Sequence, residues 1–231
     1  MHLPTPKSPE IRVVVSQRSR VAGVQDMTLA EKAAQRDPPQ EEVSSALEPY
    51  RAAPRWLLGG GEPTLRVDLP PLLSHLCQSD APELGLMTDG LALAKPKVVD
   101  KLVDVGLSWV RIPFHCGRRD AHDWLVGING AARLVHRALR NCIKAGLKLE
   151  IEILVTRPTM ELLVETVQLL SRLEPRAIVF RRPLSRGSAA SHFVALSPRF
   201  RLLSPHLKEA IAFCRSREML PLVQGFPHCV A

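Results

Sequence analysis

Apolar and polar residues along this chain alternate between two periods. Short β-branched or leucine-rich runs recur at Ile11–Val15, Arg55–Leu58, Leu84–Thr88, Trp109–Pro113, Lys148–Val155 and Ala177–Arg181. Runs of this length, bounded by Gly, Pro and polar residues, read as strands. Between them lie Asp68–Gln78, Pro96–Val105, Asn129–Ala145 and Glu161–Leu173, which read as helices; in the last, Leu162, Leu163, Val167 and Leu170 fall on one helical face. Gly106 and Gly146 stand where two of the helices should stop before the next strand. Gln40–Tyr50 reads as a helix with an acidic first turn, after the breaker Asp37-Pro38-Pro39. A short helix is expected at Thr28–Gln35, and a last one at Pro205–Arg217 capped by Ser204. Six strands, each followed by a helical or loop crossover, predict an α/β fold with a parallel sheet and outer helices. Periodicity alone fits either an open partial barrel or a doubly wound sheet. Residues 1–10 read as a flexible lead-in and 11–231 as a single domain.

Composition narrows the class. The chain has 231 residues, 45% of them hydrophobic and only 4% aromatic, so it can bury one sizeable core built from Leu, Val, Ile and Ala. No run approaches the roughly 18–20 apolar residues that span a bilayer, and Met1–Glu10 lacks an apolar signal core. The expectation is a cytoplasmic protein with no membrane partner. Five cysteines, odd in number and scattered, do not form a secreted disulfide framework. The net charge of +8 raises the question of nucleic acid. The basic residues are dispersed, and no aromatic residues interleave with them to stack bases, so nucleic acid is not the expected partner.

Six landmarks stand in order along the chain. Gly60-Gly61-Glu62-Pro63 follows the second strand, Met87-Thr88-Asp89-Gly90 the third, and Val110–His115 forms the fourth. His122-Asp123 then Gly127, Ala145–Lys148 leading into Ile151–Thr156, and Gly225-Phe226-Pro227-His228-Cys229 complete the set. Together they resemble the radical SAM family, over residues from about 11 to 229. The resemblance implies a partial (β/α)6 barrel of parallel strands with outer helices. It also implies a vestigial S-adenosylmethionine turn at Gly60, Gly61, Glu62 and Pro63, at the C-terminal ends of the strands where barrel sites lie. A Gly-rich turn also has a plain conformational reading, as an exit from a strand at positive φ.

The departures bear on chemistry. Family members carry three cysteines, spaced C-x3-C-x2-C after the first strand, that hold a [4Fe–4S] cluster. Here the corresponding positions are Ser16, Arg20 and Gly23, and the first cysteine of the chain is Cys77. Asp89 stands where the family has Asn, and Pro113 where a ribose-contacting Ser is common. The expectation drawn from this is a non-catalytic pseudoenzyme acting as a binding or scaffold partner for a peptide or an active relative. Its expected cofactors are none, beyond weak binding of S-adenosylmethionine, with no [4Fe–4S] cluster. The alternative is a working radical SAM enzyme whose cluster is atypical or completed by a partner.

Other donors deserve placement. His115-Cys116, His122 and His228-Cys229 each follow a strand end of the inferred barrel and could meet at its mouth; such donors suit zinc, although their spacing follows no structural zinc pattern. Cys116 with His122 would make a nucleophile pair, with nothing in sequence to orient the histidine. Glu150 or Glu152 could enter the barrel and bind ligand, or both could face solvent or pair with Arg. Arg181, Arg182 and Arg186 could hold an anion at the mouth or form a solvated rim.

Overall fold

Seven strands, all parallel, lie side by side in sequence order. They are β1 (Glu10–Ser16), β2 (Arg55–Gly60), β3 (Glu83–Met87), β4 (Trp109–Pro113), β5 (Lys148–Leu154), β6 (Ala177–Arg181) and β7 (Leu220–Gln224). The computed structural model describes residues 10–19, 23–24, 37–77, 83–187, 189–227 and 229–230. The helix expected at Thr28–Gln35 lies outside them. The described helices are α1 (Gln40–Leu47), α2 (Leu69–Leu76), α3 (Pro96–Asp104), α4 (Arg119–Val126), α5 (Ala131–Lys144), α6 (Leu163–Ser171), α7 (Ala189–Leu196) and α8 (Phe200–Ser216). The sheet curls into an open half-barrel with the helices outside, which decides between the two architectures that periodicity left open.

Each βα unit forms for a local reason. Alternate strand residues Leu58, Leu86, Val110, Ile151 and Phe180 are buried in one continuous apolar core beneath the helices. Helix α5 presents Ala132, Val135, Ala138, Leu139 and Cys142 to that core, the three- and four-residue spacing of a single face. No helix among the described residues is long and apolar enough to cross a membrane.

Four elements differ from the sequence reading. The sheet has a seventh strand, β7, pairing with β6 from Ala177↔Leu220 to Arg181↔Gln224. Pro221 disguises it, yet an edge strand tolerates proline because one side of its backbone needs no partner. Helix α8 starts at Phe200 and carries Pro205 inside it, whereas Ser204 donates its hydroxyl to Val230 O instead of capping the helix. Burial of Leu203 and Leu207 on the same helix offsets the lost backbone bond. Short helices α4 and α7 sit in segments to which the sequence reading assigned no element.

The concave side of the half-barrel is charged at its N-terminal end. Arg111 and Glu150 are each about 1% exposed, and Arg111 Nη2 lies 2.5 Å from Glu150 Oε2. Arg111 also donates to both oxygens of Glu10, at 3.0 and 2.7 Å. Arg55 and Arg176 donate to the other oxygen of Glu150, at 2.7 and 2.8 Å. Glu83 receives Arg176 and Lys148. The Trp109 ring lies in the middle, with the Arg55 guanidinium 4.0 Å from its centroid. Gly85 makes room for that ring: a Cβ there would stand 2.0 Å from it. Both Glu83 and Glu150 thus face inward rather than to solvent, and so does Glu152.

Burial alone would raise the Glu150 carboxyl, but the Arg111 and Arg55 guanidiniums hold it below the usual range. Removing one partner of such a cluster strands the others. Glu150→Leu is therefore expected to cost about 3–5 kcal/mol in urea unfolding. The double variant Arg111→Met/Glu150→Leu should be less destabilised than Glu150→Leu alone, which a double-mutant cycle reads directly.

Candidate functional site

The opposite, C-terminal end of the strands carries the turns named from sequence. After β2 the chain passes Gly60 at φ +110°, in the region that favours glycine. The space beside Gly60 and Gly61 is taken by the chain itself. A Cβ on Gly60 would stand 2.3 Å from Ser16 O, and one on Gly61 2.1 Å from Arg18 O. The Gly61 and Glu62 N–H groups donate to those same two carbonyls, at 2.7 and 2.6 Å. The turn is thus bound to the segment that leaves β1.

Glu62 is buried, and its carboxylate braces two turns. Oε1 accepts from Thr64 N (2.9 Å), Thr64 Oγ1 (2.5 Å) and Thr88 Oγ1 (2.8 Å), and Oε2 from Asp89 N (2.6 Å). Asp89 in turn accepts from Leu91 N at 2.8 Å. Pro63 is buried and opens a short 3₁₀ turn. The landmarks after the second and third strands, separate in sequence, form one hydrogen-bonded unit.

The segment after β1 is built from hydrogen bonds. Ser16 is fully buried; its hydroxyl donates to Asp37 Oδ1 at 2.9 Å and accepts from Arg18 N at 3.3 Å. The Arg18 guanidinium pairs with the same carboxylate. Arg66, also buried, donates to Val15 O (2.6 Å) and Pro38 O (2.8 Å) and pairs with Asp68. Further along, Gly23 lies against the end of α4: a Cβ there would be 2.1 Å from Leu125 O and 2.5 Å from Val126 C. Val24 joins a small second core of Leu125, Ala189 and Leu196, from α4 and α7. Arg20 lies outside the described residues. Asp37 and Arg66 were not singled out from sequence, because a single Arg or Asp in a polar segment carries no periodic signal.

Of the histidines, two meet. The His115 and His122 ring centroids are 5.5 Å apart, and His122 stacks on Phe114 at 4.9 Å. His115 Nδ1 accepts from Leu154 N, and His122 Nδ1 from His115 N. These bonds place the ring proton on Nε2 in both; His122 Nε2 is buried with no hydrogen-bond partner among the described residues. Burial, with His122 and Arg181 nearby, pushes His115 down to about 3. Burial pushes His122 down to about 4, against the attraction of Asp123. Cys116 is buried, its thiol is pushed up by that burial, and His122 Nδ1 is taken by His115 N. Glu152 is buried on the concave wall and pairs with Arg181 at 3.3 Å. His228 lies outside the described residues, and Cys229 is exposed.

The remaining thiols lie away from the β1 loop. Cys77 follows α2, and Cys142 and Cys214 sit inside helices, pushed up to about 12 by burial. Among the described residues no group of three or more His, Cys, Asp or Glu side chains could hold a metal ion. The space at Gly23 is filled by α4 backbone. The described residues of this loop, Ser16, Arg18 and Gly23 among them, offer no thiolate to an iron–sulfur cluster, and the glycine turn after β2 closes on the carbonyls of that loop.

Comparison with known proteins places these features. The family model of the radical SAM superfamily matches residues 28–170, more than half of the chain. A probable GTP 3',8-cyclase of Sulfolobus acidocaldarius is 32% identical over 136 residues, 58% of this chain and 42% of that protein. The PqqA peptide cyclase of Methylocella silvestris is 27% identical over 61% of this chain and 37% of its own length. The chain thus spans less than half of these relatives. Among solved structures, SuiB of Streptococcus suis bound to S-adenosylmethionine superposes with TM-score 0.73 at 15% identity, over 94% of this chain and 50% of that one. SuiB has also been solved bound to its precursor peptide SuiA.

These findings correct one expectation. The lack of loop cysteines suggested a protein with no cofactor, weak S-adenosylmethionine binding and no [4Fe–4S] cluster. The family match and the S-adenosylmethionine-bound neighbours overturn it, since that family implies both S-adenosylmethionine and the cluster. No step is derived through a cluster, because the described residues of this chain supply no ligand set for one.

Two measurements check the site. Both buried histidines take up a proton in the unfolded chain near pH 6.5 but only far lower in the fold. Stability is therefore full above about pH 6.5 and falls as the pH drops towards 4, by up to about 4 kcal/mol at pH 5 for the pair. Urea unfolding at both pH values should show the loss, and His122→Phe should remove about half of it. Glu62→Ala strands four donors and should cost about 2–4 kcal/mol, seen in the same assay without any ligand.

Proposed function

The chain belongs to the radical SAM superfamily, and from that premise we propose that it serves as a binding barrel. It is a pseudoenzyme that receives a peptide or protein segment at its mouth and works as the scaffold partner of an active relative. The observation that carries this reading is the segment after β1. There Ser16, Arg18 and Asp37 form a hydrogen-bonded base, and Gly23 packs on α4. These groups hold a loop in place.

S-adenosylmethionine has its seat at Gly60, Gly61, Glu62 and Pro63. The two glycines let the turn close on the Ser16 and Arg18 carbonyls, and Glu62 acts through the turn that it braces. Bound there, S-adenosylmethionine brings a sulfonium centre, the group on which reductive cleavage acts in the family. The concave wall beyond the seat carries Met87, Pro113 and the Glu152–Arg181 pair, and Pro113 offers no hydroxyl to a ribose. Peptide as the class of partner is supported by the SuiB complex with its precursor peptide and by the name of the PqqA peptide cyclase.

A second reading, a working enzyme with an atypical or partner-completed cluster, is favoured by the intact glycine turn. One experiment separates the scaffold from an enzyme whose atypical cluster is complete in the chain itself. The chain, reconstituted anaerobically with iron and sulfide, is given S-adenosylmethionine and a strong reductant. The scaffold reading expects no cleavage above background by the chain alone. Sustained turnover by the chain alone overturns it.

A further inference from the structure

The basic residues are scattered in sequence, yet one helix aligns four of them. Helix α5 carries Arg133, Arg137, Arg140 and Lys144, all exposed, and no acidic residue. Spaced by four, three and four residues, at about 100° each, they fall within a wedge of about 60° along roughly 17 Å of helix. The wedge points away from the core, opposite Ala138 and Cys142. None of the four has an ion-pair partner among the described residues. Arg119, on the adjoining α4, adds a further charge beside them. Half-buried His136 registers it: burial pushes the imidazole down, and the Arg140 and Arg119 guanidiniums push it further.

This arrangement costs the helix stability. Like charges three or four residues apart repel, and Arg133 stands in the first turn, against the positive end of the helix dipole. Neighbouring outer faces are built differently. On α3, which packs against α5, exposed Lys97 and Lys101 alternate with Asp100 and Asp104. On α4, Asp120 pairs with Arg118 at 2.7 Å. The unmatched charge is thus a single ridge, one helix wide, with balanced surface beside it. Ile143, 40% exposed next to Lys144, adds an apolar contact on its flank.

We propose that this ridge docks an acidic helix of a partner protein, whose Glu or Asp side chains repeat at the same three- and four-residue spacing. A facing helix has the same rise per residue, so its carboxylates meet the four cations in register. The spacing reads the same from either end, so both directions fit. Such a helix is about 10 Å across and covers the ridge alone. A nucleic-acid duplex or an anionic lipid surface is broader and reaches the flanks, where Asp100, Asp104 and Asp120 oppose it. Helix α5 also has no Phe, Tyr or Trp on which a base could stack. The ridge lies on the outer side of the barrel, so the proposal stands apart from the peptide reading at the mouth.

The test is microscale thermophoresis of the full chain at low salt with four probes. They are a helical peptide with Glu at this spacing, a peptide of the same composition with its Glu residues spread around the helix, duplex DNA, and vesicles of phosphatidylcholine and phosphatidylserine. The spaced peptide is expected to bind about five-fold or more tighter than the respaced one. Arg137→Glu/Arg140→Glu should weaken it by about ten-fold or more. The same variant should unfold at an unchanged or higher temperature, because it relieves repulsion along the ridge. Lys208→Glu/Arg215→Glu, on α8, removes as much charge elsewhere and should leave the affinity within about two-fold. Equal affinity for the two peptides, or equal loss in the two double variants, overturns the docking site. So does tighter binding of DNA or vesicles that depends on Arg137 and Arg140, and so does binding of no probe. None of these outcomes touches peptide binding at the mouth or the cleavage result.

Discussion

The half-barrel depends on a charge cluster that draws distant strands together. Arg111 on β4 reaches Glu10 on β1 at 2.7 Å, with β2 and β3 between them. In a flat sheet three strand spacings amount to about 14 Å, and the register sets Arg111 four residues further along than Glu10, roughly 13 Å more, which together exceed the reach of the two side chains. The bond exists only because the sheet curls. An open barrel has no closing strands to seal its interior, and here Glu10, Arg55, Glu83, Arg111, Glu150 and Arg176 close its N-terminal end around Trp109. Buried charges are costly unless each one is matched. In this cluster Glu150 takes three guanidiniums and Arg111 two carboxylates, so the match holds.

One end is closed by charge, and the other carries the turns that follow the strands. The same alternation that points Glu150 into the base points Glu152 up the wall, to Arg181 near the mouth. Around the mouth, stability comes from smaller devices. Glu62 ties the turn after β2 to the turn after β3, Arg66 fixes the end of β1 to Pro38, and Ser16 shares Asp37 with Arg18. Each spends a polar residue on holding a loop. That is why the glycine turn can keep its shape although the loop beside it has the side chains of a different chemistry.

The buried histidines belong to this frame. His115 and His122 accept backbone N–H groups at the top of β4 and β5. Neutral imidazole can do this and imidazolium cannot, so the fold requires them uncharged. Their sequence position suggested a metal or nucleophile site; their hydrogen bonds make them part of the wall.

Much of the fold was legible in the chain. The βα rhythm gave the parallel sheet, and Gly60–Pro63 and Thr88–Gly90 marked the ends of strands in their proper order, because turn chemistry and hydrophobic period act over a few residues. The seventh strand escaped since its identity lies in pairing with β6, and Pro221 hides it from any local rule. Helix α8 overran Pro205 for a related reason: burial of Leu203 and Leu207 outweighs a local breaker. What only the tertiary structure decided is which charged residues meet. Glu150 and Glu152 look alike in sequence, yet one closes the base with Arg111 and the other faces the mouth with Arg181. Glu62 became a brace because Thr88 and Asp89 were brought to it from another strand. Partners of a charge are set by the curvature of the sheet across strands, and that is a long-range property that no local pattern encodes.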